Sequence, residues 1–525
     1  MTTTVHQILQ DDHAVSDRLG SIFGDYPDRI SERRTVYLHL LDEFEKIYGN
    51  SNHAFLVRAP ARINLKGMHV DHRGGHVNYM AIDREIVMAV GIRDDDKVVL
   101  NDQEAERYQK RSFSISEALP PEARGDWFSY IEQVDTVPGD WSNYIRAGVL
   151  KLQDYFKDRP LRGMNLLVNG NIPIGGGLSS SSALVVAACE ASLQVNGLSL
   201  GDEQKTLLCG EGEWYVGTRG GAGDHAAIIY GRRGHLMRLR FFPLTVQPFP
   251  FPAGYRVIVC NSLKQARKSD GVRTTFNERV ATYEIAMVMI RRLFPDLADR
   301  IPHLRDLNTE HLGVGEDTLY RILAALPESI DRKALQDMLP DHQNELERIF
   351  RTHDAPPDGY QVRSVCLYGM AECERSRIFC DFLRQGDMKT VGELMYLSHD
   401  GDRVVTHDGG NMPKPRQNRV TDGYLQRLIE GTVNGTTESL LWKQPGGYNC
   451  SCEELDHLVD IARTIPGVIG ANLTGAGLGG CVLVVVREEA VETFLGTVHE
   501  EYYKSRRLEP ATFVCTSVDH AGRIF

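Results

Sequence analysis

Pro173-Ile-Gly-Gly-Gly-Leu-Ser-Ser-Ser-Ser-Ala183 runs without a break into Leu184-Val-Val-Ala-Ala-Cys-Glu-Ala191, and the apolar stretch Met164-Asn-Leu-Leu-Val168 precedes it. The order reads as a strand, a glycine turn and the N-terminus of a buried helix. That order suits a bound phosphate. Glycines let the backbone approach closely, the first helical amides point at the anion, and the helix dipole favours negative charge. Four serine hydroxyls can bond phosphate oxygens or coordinate a metal. No lysine follows the glycines, so this is not the common Gly-x-x-x-x-Gly-Lys-Ser/Thr nucleotide loop. A Gly/Ser run by itself is also compatible with a flexible turn, and the rest of the chain must decide between the two.

At 525 residues the chain exceeds one ordinary core, so two domains with insertions are expected. Apolar residues at 42% and charged residues at 25% belong to a globular protein. A net charge of -12 argues against a nucleic-acid or membrane-surface binder, which needs a basic face, but leaves room for a small anionic ligand. The ten cysteines are scattered without zinc spacing and read as reduced, mostly buried thiols. The N-terminus lacks the basic and apolar regions of a signal peptide, and no run reaches the length of a membrane span. A cytoplasmic location is the expectation. No signal for an oligomeric state is present.

Residues 1–50 read as an amphipathic helical extension, with Val36, Leu38, Leu40, Leu41, Phe44 and Ile47 as apolar positions. Ala54–Pro60 reads as a strand stopped by proline, and Ile86–Ile92, Lys97–Leu100, His235–Arg240 and Tyr255–Cys260 as further strands. A first domain over 51–250 and a second over 251–525 follow, with insertions near 300–360 and 402–445. The second contains Val405–Arg416, which reads as a long loop around Gly409 and Gly410. Gly475, Gly477 and Gly480 match Gly-x-Gly-x-x-Gly, but here the cluster follows a helix and opens a strand, the reverse of a dinucleotide-binding turn.

Three motifs therefore stand in order: Ala59-Pro-Ala-Arg-Ile-Asn-Leu65 with Gly67-Met-His-Val-Asp71, the 173–183 loop, and Leu473-Thr-Gly-Ala-Gly-Leu-Gly-Gly-Cys481. Together they resemble the three signature motifs of the GHMP kinases, and the first looks like that of the galactokinase branch. Val216-Gly-Thr-Arg-Gly-Gly-Ala-Gly-Asp224 is similar to the segment carrying that branch's catalytic aspartate. The resemblance covers about 35–295 and 362–520. It implies a two-domain α+β fold, a ribosomal S5 domain 2-like N-terminal domain plus a ferredoxin-like C-terminal domain, with the active site in the cleft between them. It also implies ATP and Mg2+ as cofactors and transfer of the γ-phosphoryl group to a sugar's anomeric hydroxyl.

The residues suit those roles. Phosphoryl transfer needs positioning and charge neutralisation more than covalent chemistry. The resemblance makes Asp224 the residue that accepts or aligns the sugar hydroxyl and Arg62 its charge partner, which also stabilises the transferring group. Pro173, Gly175, Gly176, Gly177, Leu178, Ser179, Ser180, Ser181 and Ser182 form the ATP loop. Ser181 falls at the family's magnesium-binding hydroxyl, and Ser180 or Ser182 can share the task. The family's metal-binding glutamate falls near Gly212; Glu213 is preferred, with Glu211 as the alternative.

His69, Asp71 and the Gly221 backbone match the sugar-binding positions. Two positions depart from the galactokinase pattern: Met68 replaces a glutamate and Phe276 a tyrosine. Both changes remove polar contacts, which bears on sugar choice. Met68 removes a negative charge while Lys66, His69, His72 and Arg73 leave the segment cationic, which suits a galacturonate-like sugar with a C6 carboxylate. An apolar Met68 also suits a pentose such as L-arabinose, and galactose itself still fits. On this reading Met68→Glu shifts activity toward galactose. A non-catalytic sugar sensor is the remaining rival, and a mevalonate or homoserine kinase is disfavoured by His69 and Asp71.

Overall fold

The computed structural model describes residues 4–49, 54–217, 220–264, 270–407, 413–416 and 418–525, with the backbone alone over 270–274. The fold is α+β. Eight strands form a first sheet: β1 (Phe55–Lys66), β2 (His76–Ile92), β3 (Lys97–Asp102), β4 (Arg111–Ser114), β5 (Met164–Gly170), β6 (His235–Arg240), β7 (Thr245–Pro250) and, from the end of the chain, β14 (Gly522–Arg523). Their order is β14-β1-β2-β5-β3-β4, with β6 and β7 added beside β2. Only β3 and β5 are parallel. The pairing of β14 with β1 returns the chain's last residues to the first sheet.

Alternation along β1 explains why this sheet is covered on both faces. Phe55, Val57, Ala59, Ala61, Ile63 and Leu65 face the main core with the helices Ser142–Tyr155 and Ser180–Asn196. Leu56, with Val87, Ala89 and Leu167, faces the N-terminal helices Asp12–Phe23 and Pro27–Tyr48. Within that extension Leu40, Leu41 and Phe44 are buried as the periodicity requires, whereas Ile47 is exposed. Proline does not stop the first strand. β1 continues through Pro60 to Lys66, with a register shift between Pro60 and Ala61. Pro60 is opposite Glu85 and Ala61 opposite Ile82, so the shift passes over Asp83 and Arg84 of β2 and interrupts the ladder beside Pro60, which is where a residue lacking an N–H is tolerated.

The second sheet is antiparallel, in the order β11-β12-β8-β13: β8 (Tyr255–Asn261), β11 (Val468–Thr474), β12 (Cys481–Arg487) and β13 (Thr512–Cys515). Along β12, Val482, Val484 and Val486 pack with the helices Glu453–Thr464 and Val491–Val498, while Cys481, Leu483 and Val485 join the main core. The glycine cluster 475–480 is the turn between β11 and β12. It follows a strand rather than a helix, and no helix opens from it, so a dinucleotide-binding turn is excluded.

The 300–360 segment is helical and contributes Leu304, Leu319, Tyr320 and Leu323 to one apolar cluster shared with the helices Asp270–Leu293 and Val362–Gln385. The same cluster takes in Val420, Leu425 and Leu441 from the second insertion. Between these, β9 (Val405–Thr406) pairs with β10 (Lys414–Pro415) where a loop was expected; Gly409 and Gly410 lie outside the described residues. Among the described residues no helix is long and apolar enough to cross a membrane.

Candidate active site

The loop after β5 has the geometry the glycines and serines require. Gly175 and Gly177 take φ of 70° and 71°, and Ser179 sits at φ 62° as the N-cap of the 17-residue helix Ser180–Asn196. No side chain caps that helix. The Ser179 hydroxyl donates to Asp224 instead, so the first helical amides keep their donors for an anion. The two glycine loops press together: a Cβ on Gly177 would lie 3.0 Å from the Thr474 carbonyl, and one on Gly475 would lie 3.1 Å from the Gly177 Cα. These close approaches tie the loop to the second sheet. The donor set suits the phosphates of a nucleotide.

Arg62 projects from β1 beneath this loop. Its Nε and Nη2 donate to the two Asp224 oxygens, each at 2.7 Å, and its Nη1 donates to the Gly177 carbonyl at 2.6 Å. The guanidinium also lies 5.4 Å from the centre of the Tyr79 ring. Burial works against its charge, but Asp224 and Tyr79 outweigh burial and raise its pKa on balance. A two-pronged pair of this kind fixes the carboxylate plane as well as its position. Asp224 opens the short helix Gly223–Ile229 and remains 30% exposed, so it stays accessible to a ligand in the cleft.

Glu213, at the end of the helix Asp202–Glu213, accepts from the Ser182 hydroxyl at 2.7 Å and lies 2.9 Å from His225 Nε2. Burial would raise its pKa, yet His225 and the hydroxyls of Ser182 and Ser181 hold it down at about 2. An ionised carboxylate beside two hydroxyls is the donor chemistry Mg2+ takes, with water completing the shell. Glu211 instead pairs with Lys151 Nζ at 3.0 Å and is 40% exposed. Glu213→Gln is therefore expected to raise the Mg2+ concentration for half-maximal rate by roughly tenfold or more, and Glu211→Gln to leave it within about twofold. Titrating Mg2+ in both variants tests the choice.

A cleft of about 240 Å3 brings Arg62, Met68, His69, Asp71, Ser182, Glu213, Gly221, Asp224 and Phe276 together. Of the serine loop, only Ser182 lines it. Burial would raise the Asp71 pKa, but the hydrogen bond from the His72 ring, 3.0 Å away, with the charge and backbone amide of His72 and the charge of His69, together outweigh burial and hold the carboxyl at about 2. A Cβ on Gly221 would lie 3.1 Å from an Asp71 oxygen, so the bare backbone there permits the approach. The His69 imidazole is 2% exposed, stacks on Tyr448 at 4.2 Å and lies 3.4 Å from Asp402. Met68 is 1% exposed and packs with Ile258, Leu455 and Leu458. Thr218 and Arg219 of the Asp224 motif lie outside the described residues.

The cationic face inferred for this segment is absent. Lys66 is fully buried, 3.2 Å from Glu372, and burial lowers its pKa to about 8. Arg73 donates to the Val280 carbonyl and to Glu284, and His72 is spent on Asp71. These charges are consumed inside the protein, which removes the argument for a C6 carboxylate. Tyr79 and His225 belong to the site and were not singled out from sequence. The pairing of β1 with β2 puts Tyr79 opposite Asn64, two residues from Arg62, and His225 directly follows Asp224.

Comparison with known proteins agrees with this geometry. Residues 143–232 match the GHMP kinases N terminal domain, 42–92 the galactokinase galactose-binding signature and 435–504 the GHMP kinases C terminal domain. The galactokinase of Candida albicans is 30% identical over 488 residues, covering 90% of each chain. That of Dictyostelium discoideum is 27% identical over 475 residues, 89% of this chain and 88% of the relative. The crystal structure of Lactococcus lactis galactokinase complexed with galactose superposes with a TM-score of 0.66 at 22% identity, over 93% of this chain and all of that one, which establishes the shared fold. With residues 42–92 matching the galactose-binding signature and the Arg62–Asp224 pair set in that fold, the chain belongs to the galactokinase family of GHMP kinases.

Proposed function

We propose that this chain is an ATP-dependent kinase that phosphorylates the anomeric hydroxyl of galactose. The Arg62–Asp224 pair carries the reading, because it stands where the phosphate loop meets the sugar segment. Asp224 orients the hydroxyl and takes its proton as the new oxygen–phosphorus bond forms and the bond from the γ-phosphorus to the bridging oxygen of ADP breaks. Arg62 faces the charge that develops on the transferring group. The amides at the start of the Ser180–Asn196 helix receive the phosphates of ATP. Ser181, Ser182 and Glu213 would hold Mg2+, whose charge offsets that of the phosphates.

Asp71 and the Gly221 backbone present the groups that read the sugar's hydroxyls. A sensor without catalysis has no support in this site, since aspartate, arginine and loop hydroxyls are all present and in contact. A cytoplasmic location fits the need for ATP and the ten free thiols, nine of them buried.

Coupled measurement of ADP release across galactose, galacturonate, L-arabinose and L-fucose tests the proposal. Galactose is expected to give the highest kcat/KM, with galacturonate lower by roughly 10²-fold or more, because Lys66, His72 and Arg73, the charged residues of the sugar segment, are each already paired inside the protein. A preference for galacturonate or L-arabinose would overturn the substrate, and no ADP release with any sugar would overturn the reaction.

A further inference from the structure

The sugar-binding segment leaves β1 through a sharp turn that its own strand does not support. Gly67 takes φ 98°, and His69, a residue with a side chain, takes φ 61°. The ladder between β1 and β2 ends at Lys66 opposite Asn78, so the amides of Gly67 and Met68 have no strand partner. Both are buried, and buried amides need an acceptor. Glu372 supplies it from the helix Val362–Gln385, about 300 residues away in sequence. One of its oxygens accepts from the Gly67 amide at 2.9 Å and the Met68 amide at 3.0 Å. Lys66 Nζ lies 3.2 Å from that same oxygen, and the other oxygen accepts from Arg375 Nε at 2.7 Å. Glu372, Arg375 and Lys66 are all fully buried. Arg375 is in turn held by the carbonyls of Trp442 and Gln444.

We propose that Glu372 is a positioning residue for the sugar site, fixing through the Gly67 and Met68 amides the turn that presents Asp71 to the substrate. The inference rests on the galactose reading above. Glu372 touches no substrate. It acts through three residues of backbone, and a displacement near 1 Å at Asp71 is enough to cost large factors in a positioned reaction. Lys66 and Arg375 keep the acceptor ionised despite burial, and charge-assisted bonds to backbone amides are the strong ones.

Glu372→Asp and Glu372→Gln separate this role from its rivals. Aspartate keeps the charge and loses the reach; glutamine keeps the reach and loses the charge. Positioning predicts that Glu372→Asp raises KM for galactose by roughly tenfold or more, that Glu372→Gln raises it less, and that KM for ATP stays within about twofold in both. A role in charge balance alone predicts the reverse order. A purely structural role predicts lower Tm with both KM values unchanged. Either result overturns the proposal.

Amide hydrogen exchange gives a second readout that needs no turnover. Exchange at Gly67 and Met68 is expected to accelerate by roughly tenfold or more in Glu372→Asp, with the β12 amides unchanged. Unchanged exchange at both positions would also overturn the proposal. If Glu372→Asp fails to fold, the wild-type protein decides: slow exchange at these two amides supports the role and open-loop rates refute it. Absence of galactose turnover in the wild-type protein would defeat the functional reading alone and leave the exchange result standing.

Discussion

Asp224→Ala is expected to lower kcat by roughly 10²-fold or more while the protein remains folded. Three donors converge on this carboxylate: Arg62 Nε, Arg62 Nη2 and the Ser179 hydroxyl. In the mechanism proposed above, removing it strips the cleft of the group that aligns and deprotonates the sugar hydroxyl. It also leaves the Arg62 guanidinium, 7% exposed, with the Gly177 carbonyl and the Tyr79 ring as its remaining described partners. Breaking a fully buried pair costs about 3–5 kcal/mol; with Asp224 30% exposed, about 1–3 kcal/mol is expected here. The alanine variant therefore mixes a chemical loss with a stability loss. Asp224→Asn separates them, since it keeps the shape and an acceptor oxygen while removing the charge. Its turnover is expected to fall about as far as that of the alanine variant, with a smaller drop in Tm. Wild-type turnover in folded Asp224→Asn would refute the assigned role.

The fold was legible because local signals fix it. Glycines at positive φ, a helix that starts in serines, and alternating strands such as β1 and β12 declare their structure within a few residues. The Arg62–Asp224 contact was legible only through the order of whole motifs, since 162 positions separate the pair. What sequence did not carry was the fate of charges. Lys66, His72 and Arg73 read as an exposed cationic run, yet each is matched inside the protein by Glu372, Asp71 or Glu284. Two of those partners stand on helices more than 200 residues downstream, and no local period announces such a match. Glu372 itself lies in the middle of an otherwise ordinary helix, where nothing marks it as the support for a distant turn. Pro60 shows the opposite failure, a strong local signal overridden because a bulge in the neighbouring ladder accommodates it.

Met68→Glu brings these two lessons together and is expected to destabilise the protein rather than retune its sugar preference. Read along the chain, the substitution restores the family's glutamate. In the structure it pushes a carboxylate into a cluster with Ile258, Leu455, Leu458 and Val459. The backbone amide of residue 68 lies 3.0 Å from a Glu372 oxygen, so the new carboxylate would also sit near an existing buried one. Burying an unpaired charge among apolar groups is among the most damaging single changes, and a loss of about 3 kcal/mol or more is expected. Calorimetry should show Tm lower by roughly 5 °C or more. The effect has a definite sign with pH. Burial and Glu372 both raise the pKa of the introduced acid above its unfolded value of about 4.3. The penalty is therefore least below that pH and grows as pH rises toward the folded pKa. Met68→Gln, which has nearly the same shape without the charge, should differ from wild type by an amount that does not vary with pH. A Met68→Glu protein as stable as wild type at pH 8, with a higher kcat/KM for galactose, would mean that the side chain turns into the cleft and that the apolar packing of Met68 is dispensable.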